Sequence, residues 1–144
     1  MPLPQQWHPP IIMATIENQK AAPFFKFENL RIYHKSLTFS NAVLAIYDRA
    51  TKESDKLLAR QLFEAASMIT NSIIEGSCSS KTGFIEFLQQ AKSNIRKCVT
   101  YTALLLSRRV IDEEQSSDIR NELTELTKMA GALIVSLQAE NNQL

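Results

Sequence analysis

Between about Glu28 and Ala139, apolar residues return at three- and four-residue intervals with almost nothing to break the pattern. Such spacing gathers apolar side chains on one face of an α-helix, and that face needs a second helix to cover it. The 144 residues include only 3 Gly and 5 Pro, and every Pro lies within the first 23 positions. A chain with so few turn formers cannot make many hairpins. The expected class is all-α, with few and short loops. A hydrophobic fraction of 44% at this length suits one domain with a real core.

Helix one is expected from about Glu28 to Ala50, with Leu30, Tyr33, Leu37, Val43 or Leu44, and Tyr47 facing inward. Thr51-Lys52-Glu53-Ser54 has no apolar residue and reads as a polar turn, and Ser54 or Asp55 suits the cap of helix two. The stripe of that helix is Leu58, Leu62, Ala65, Ile69 and Ser72 or Ile73, with Ala65 and Ala66 permitting close approach of a partner. Gly76 is placed to end the helix in a left-handed conformation, and Ser77 to Thr82 form a connection. Helix three follows from Lys81 or Thr82 to Arg109, on Phe84, Phe87 or Leu88, Ala91, Ile95, Cys98, Thr102, Leu105 and Leu106.

Asp112 with Gln115 three residues on has the form of a capping box. Leu123, Leu126, Met129 or Ala130, Leu133, Ile134 and Leu137 carry helix four to about Ala139, and Gly131 within it marks either a small cost or a close helix contact. Four helices with short connections predict an antiparallel up-down-up-down bundle over residues 27–144.

Residues 1–26 hold no persistent period and are expected to form a flexible or loosely docked extension. Trp7 and Ile11-Ile12-Met13 are its sticky part, suited to docking on a neighbouring subunit. The alternative is a vector-derived or upstream-start segment, with Met13 or a later residue nearer the native start. A basic-then-apolar leader is not evident, and no apolar run approaches the ~18 residues a membrane span needs. A cytoplasmic protein without membrane contact is the expectation.

Catalytic constellations are not evident. His8 and His34 are the only histidines, and His34 has no evident nucleophile beside it. Cys78 and Cys98 do not form a close pair or a zinc ligand set, and fit small apolar residues in a reducing compartment. Glu113 and Glu114 point about 100° apart on a helix and suit its positive N-terminal end. A glycine-rich phosphate loop is also lacking. The expectation is a protein that is not an enzyme and holds no cofactor or metal.

Two surfaces remain. The net charge of +1 gives no global attraction to nucleic acid, so binding must come from a local patch. Lys81, Lys92, Arg96, Lys97, Arg108 and Arg109 on helix three are the candidate contacts, with Tyr101 as a stacking surface; Glu86 and an acidic helix four offset them. Phe63, Met68, Ile74 and Tyr101 lie off the main stripes and are the candidate oligomer interface.

The run Gln61-Leu62-Phe63-Glu64-Ala65-Ala66-Ser67-Met68-Ile69-Thr70-Asn71-Ser72-Ile73-Ile74-Glu75-Gly76 closely follows a family pattern Q-L-x-x-A-A-x-S-I-x-x-N-I-A-E-G. Phe84, Glu86, Phe87, Leu88 and Ala91 match much of an E-F-x-x-F-L-x-x-A start to helix three, and Phe27 to Tyr33 resembles an F-x-x-L-x-V-W opening. On these residues the chain resembles the four-helix-bundle family of 23S rRNA intervening-sequence proteins. It is similar, more distantly, to the accessory variability determinants of diversity-generating retroelements. Phe63 and Glu64 replace the usual basic pair, Ser72 replaces the usual Asn, and acidic residues common halfway along helix three are absent around Lys97 and Val99. The resemblance implies a homo-oligomer, a pentameric ring, without chemistry of its own. It further implies a reverse transcriptase and RNA or DNA as partners in mutagenic retrohoming. The other reading is a scaffold or protein-interaction module without nucleic-acid affinity.

Overall fold

Helix follows helix along the computed structural model, which describes residues 24–142. A four-residue 3-10 turn, Lys26–Asn29, leads into α1 (Arg31–Arg49), α2 (Glu53–Ser77), α3 (Lys81–Ser107) and α4 (Glu113–Asn142). Among the described residues there is no strand, as the scarcity of turn formers requires. The expectations for Trp7, His8 and the Ile11 cluster lie outside the described residues.

Contacts between helices set their directions. Lys56 near the start of α2 donates to the carbonyl of Tyr47 near the end of α1, and Thr70 late in α2 donates to Ser36 early in α1. Arg108 just past α3 meets Asp55 in the first turn of α2. Asn141 at the end of α4 donates to Thr82 at the start of α3. Each link joins the start of one helix to the end of its neighbour, which is the antiparallel order.

Helix ends follow local chemistry, with some departures from expectation. The Asp112 carboxylate accepts from the Gln115 N–H at 2.8 Å while the Gln115 amide oxygen accepts from the Asp112 N–H at 2.9 Å, a complete capping box. Ser80 caps α3 by accepting from Gly83 N–H at 3.1 Å. Ser54 and Asp55 are not caps: α2 begins at Glu53, its N-cap is Lys52, and both side chains instead meet Arg108. The 3-10 turn delays α1 to Arg31, and α3 stops at Ser107, with Arg109 taking φ 60°. α4 runs to Asn142, past the expected end.

Gly76 does not adopt a left-handed φ. It sits buried within α2, where an added Cβ would meet the Phe84 ring at 2.6 Å and Phe87 Cβ at 3.0 Å. The glycine is a packing requirement between α2 and the start of α3. Gly131 has the opposite surroundings, with nothing within 4 Å of an added Cβ. The same substitution should therefore change sign between the two sites. Gly76→Ala is expected to lose about 1–2 kcal/mol, overpacking outweighing the gain in helix propensity. Gly131→Ala is expected to gain up to about 1 kcal/mol, and denaturant midpoints measure both.

The core is one continuous cluster that includes Phe39 and Val43 of α1, Leu62, Ile69 and Ile73 of α2, Leu88 and Leu105 of α3, and Leu123 and Leu126 of α4. Most of the inward residues expected for α2, α3 and α4 are in it, and α1 is the exception. Its buried face is Ile32, Ser36, Phe39, Val43 and Ile46, while Leu37 and Leu44 are 41% and 40% exposed. Of the two candidates at 43 and 44, Val43 is the core residue. The seam between α1 and α4 is the lightest in the bundle, and Lys35 bridges it to Glu122 at 2.9 Å and Glu125 at 2.7 Å. These bonds hold the Lys35 ammonium above its usual range and the Glu125 carboxyl below its own.

Candidate nucleic-acid interface

α3 presents basic residues on several sides because residues 92, 96 and 97 step around a 3.6-residue turn. Lys97 lies toward α2 and shares a shallow cavity of about 180 Å³ with Gln61, Glu64, Met68, Asn94 and Tyr101. Arg96 faces the other way, toward α4. There it lines a cavity of about 140 Å³ with Ile95, Val99, Arg120, Leu123, Thr124 and Thr127. Lys92, one turn before Arg96, continues this face, and Lys128, one turn after Thr124, extends it along α4.

The expected basic set is thus divided. Lys81 is bridged to Glu140 at 3.4 Å. Arg108 is held by the Asp55 carboxylate and by Ser54 Oγ, the latter at 2.9 Å. Arg109 occupies the left-handed position after α3. Lys92 and Arg96 are brought together, and the structure adds Arg120, which the sequence did not single out. None of Lys92, Arg96, Arg120 and Lys128 has an ion-pair partner among the described residues.

The acidic character of α4 does not cancel this face. Glu122 and Glu125 turn toward α1 and are engaged by Lys35, Glu113 and Glu114 lie in the first turn of α4, and no acidic residue lines the Arg96–Arg120 cavity. Two guanidinium groups at an open depression offer N–H donors suited to an anion, while the Thr124 and Thr127 hydroxyls donate to the Arg120 and Leu123 carbonyls of their own helix. Guanidinium recognises phosphate with paired N–H donors.

The off-stripe apolar set is divided as well. Met68, 47% exposed, and Tyr101 meet in the α2–α3 cavity. Phe63 is half-buried against the core, and Ile74 lies on its side of α2, away from Met68. Leu57, 55% exposed, and Leu104, 42% exposed, extend the Met68–Tyr101 surface at helical spacing. The doublet Leu57-Leu58 carried the signal for the first of them, since adjacent helical residues cannot both face the core.

Chemistry at the cysteines is limited to one of them. Cys98 is buried, and burial pushes its thiol up to about 12 by disfavouring the thiolate. Cys78 is exposed. Alkylation of the folded protein at pH 8 is expected to modify Cys78 only, read by peptide mass. The raised Cys98 value also carries a stability term that is whole below the unfolded thiol value of 9.0 and is lost as pH climbs toward about 12. Among the described residues no group of three or more His, Cys, Asp or Glu side chains comes together, and no helix is long and apolar enough to cross a membrane.

Comparison with known proteins bears on this geometry. The family model for the 23S rRNA-intervening sequence protein matches residues 28–132. A crystal structure from Bacteroides thetaiotaomicron, described as a protein of unknown function from the S23 ribosomal protein family, superposes with a TM-score of 0.66 at 25% identity. The alignment covers 72% of this chain and 94% of that one. Among curated proteins nothing matches the sequence.

Proposed function

Because this chain belongs to the 23S rRNA-intervening sequence protein family, we propose that it is a non-enzymatic, homo-oligomeric accessory protein that holds nucleic acid on its α3–α4 face. The observation that carries the proposal is the convergence of Arg96 and Arg120 on one open depression free of acidic side chains. Lys92 and Lys128 extend the positive track along both helices. Phosphate is the ligand that such a track selects, because each contact releases a counterion from the polyanion. Self-association is assigned to exposed Leu57, Met68 and Leu104 with half-buried Tyr101, an apolar surface that gains from being covered. The resemblance to accessory variability determinants supplies the finer form of the proposal, a pentamer serving a reverse transcriptase.

The test is binding of a labelled structured RNA and a DNA duplex of equal length at about 50 mM salt, followed by a salt titration. Affinity is expected to fall steeply as salt rises. If neither polymer binds at low salt, the nucleic-acid reading is wrong and the interaction-module reading stands, with the Met68–Tyr101 surface as its working face. Molar mass in solution tests the assembly half, and a monomer at micromolar concentration overturns it.

A further inference from the structure

At the end of the bundle where α1 begins, α4 outruns its neighbour. α1 starts at Arg31, beside Met129 and Leu133, whereas α4 continues to Asn142 and closes on the start of α3 through Asn141–Thr82 and Glu140–Lys81. Residues 134–142 of α4, about 13 Å of helix, therefore have no counterpart in α1. Where α1 would need to continue there is an open notch of about 330 Å³, whose apolar lining is Leu30, Ile32, Met129, Ala132 and Leu133, with Asn29 and Arg31 at its α1 side. A second depression of about 340 Å³ at the same end is lined by Phe24, Phe25, Lys26, Phe27, Ser77 and Cys78. Phe24 is 90% and Phe25 55% exposed, an unusual amount of aromatic surface left in water.

We propose that this notch is the docking site of the chain's own N-terminal segment, with Ile11, Ile12, Met13 and Ile16 covering Met129, Ala132 and Leu133. The described chain starts at Phe24, beside the 3-10 turn that delivers Leu30 to the notch. Ile16 is close enough in sequence to reach it, since the intervening residues span up to about 26 Å when extended. Its chemistry fits, because the only Asp, Glu, Lys or Arg residues in the first 23 positions are Glu17 and Lys20. The tether favours the chain's own segment over that of a second copy, since a short linker supplies an effective concentration in the mM range.

The experiment places one fluorescent reporter inside the docking cluster. Trp7 is the only tryptophan, so the full-length W7F/I12W variant carries its single indole at position 12. Its emission is expected to be blue-shifted, and its acrylamide quenching several-fold weaker, relative to a peptide of residues 1–23 with the same changes. Both signatures should persist on dilution to nanomolar protein. Adding Ala132→Glu, at an exposed position that leaves the core intact, should return them to the peptide values. Far-UV circular dichroism verifies that this variant is folded. Peptide-like emission in the full chain overturns the proposal. So does burial that vanishes on dilution, which assigns the segment to a neighbouring copy, and so does burial that survives Ala132→Glu, which places it elsewhere.

Discussion

Phe39→Ala is expected to lower the free energy of unfolding by about 3–5 kcal/mol, the largest loss from any alanine substitution in α1. Phe39 is 1% exposed at the centre of the α1 face that meets the core. Truncation removes the transfer energy of the ring and leaves a cavity that rigid neighbouring helices fill only in part. Leu44→Ala, on the same helix, is expected to change stability by less than about 1 kcal/mol, because that leucine is 40% exposed. Urea unfolding at unchanged m-value measures both. A larger loss for Leu44→Ala than for Phe39→Ala would mean that the face centred on Leu37 and Leu44 is the buried one.

That pair of substitutions marks where the sequence was ambiguous. α1 carries two apolar stripes, one through Leu30, Tyr33, Leu37, Leu44 and Tyr47 and one through Ile32, Phe39, Val43 and Ile46. Both repeat at helical spacing, and periodicity alone does not choose between them. The choice is made by what α2 and α4 present, a tertiary matter. Capping at Asp112 and Gln115 was legible because both hydrogen bonds close within one turn. Gly76 was misread because glycine near a helix end suits a left-handed turn as well as a close helix approach, and only Phe84 and Phe87 on the next helix decide.

The second large effect concerns the α3–α4 face. R96Q/R120Q is expected to weaken RNA binding on the order of tenfold near 100 mM salt, since two phosphate contacts and their counterion release are removed. Lys81→Gln and Arg108→Gln are the informative controls. Their charges are engaged by Glu140 and by Asp55, so each is expected to change affinity by less than about twofold. Charge positions on α3 were readable from spacing, but not which of them stay free. Lys81 and Arg108 are neutralised by partners on other helices, and Arg120 gains its place only when α4 packs beside α3. The acidic composition of α4 did not show where its charges face; Glu122 and Glu125 turn to Lys35.

The proposal that the α3–α4 face holds a phosphate backbone is tested most directly by the slope of log affinity against log salt. The wild-type protein and R96Q/R120Q are compared on one single-stranded RNA. Each lost phosphate contact removes about 0.7 from the slope, so the double variant should be shallower by about 1.4. Parallel lines with equal slopes would contradict it, because they would mean that Arg96 and Arg120 do not touch the backbone.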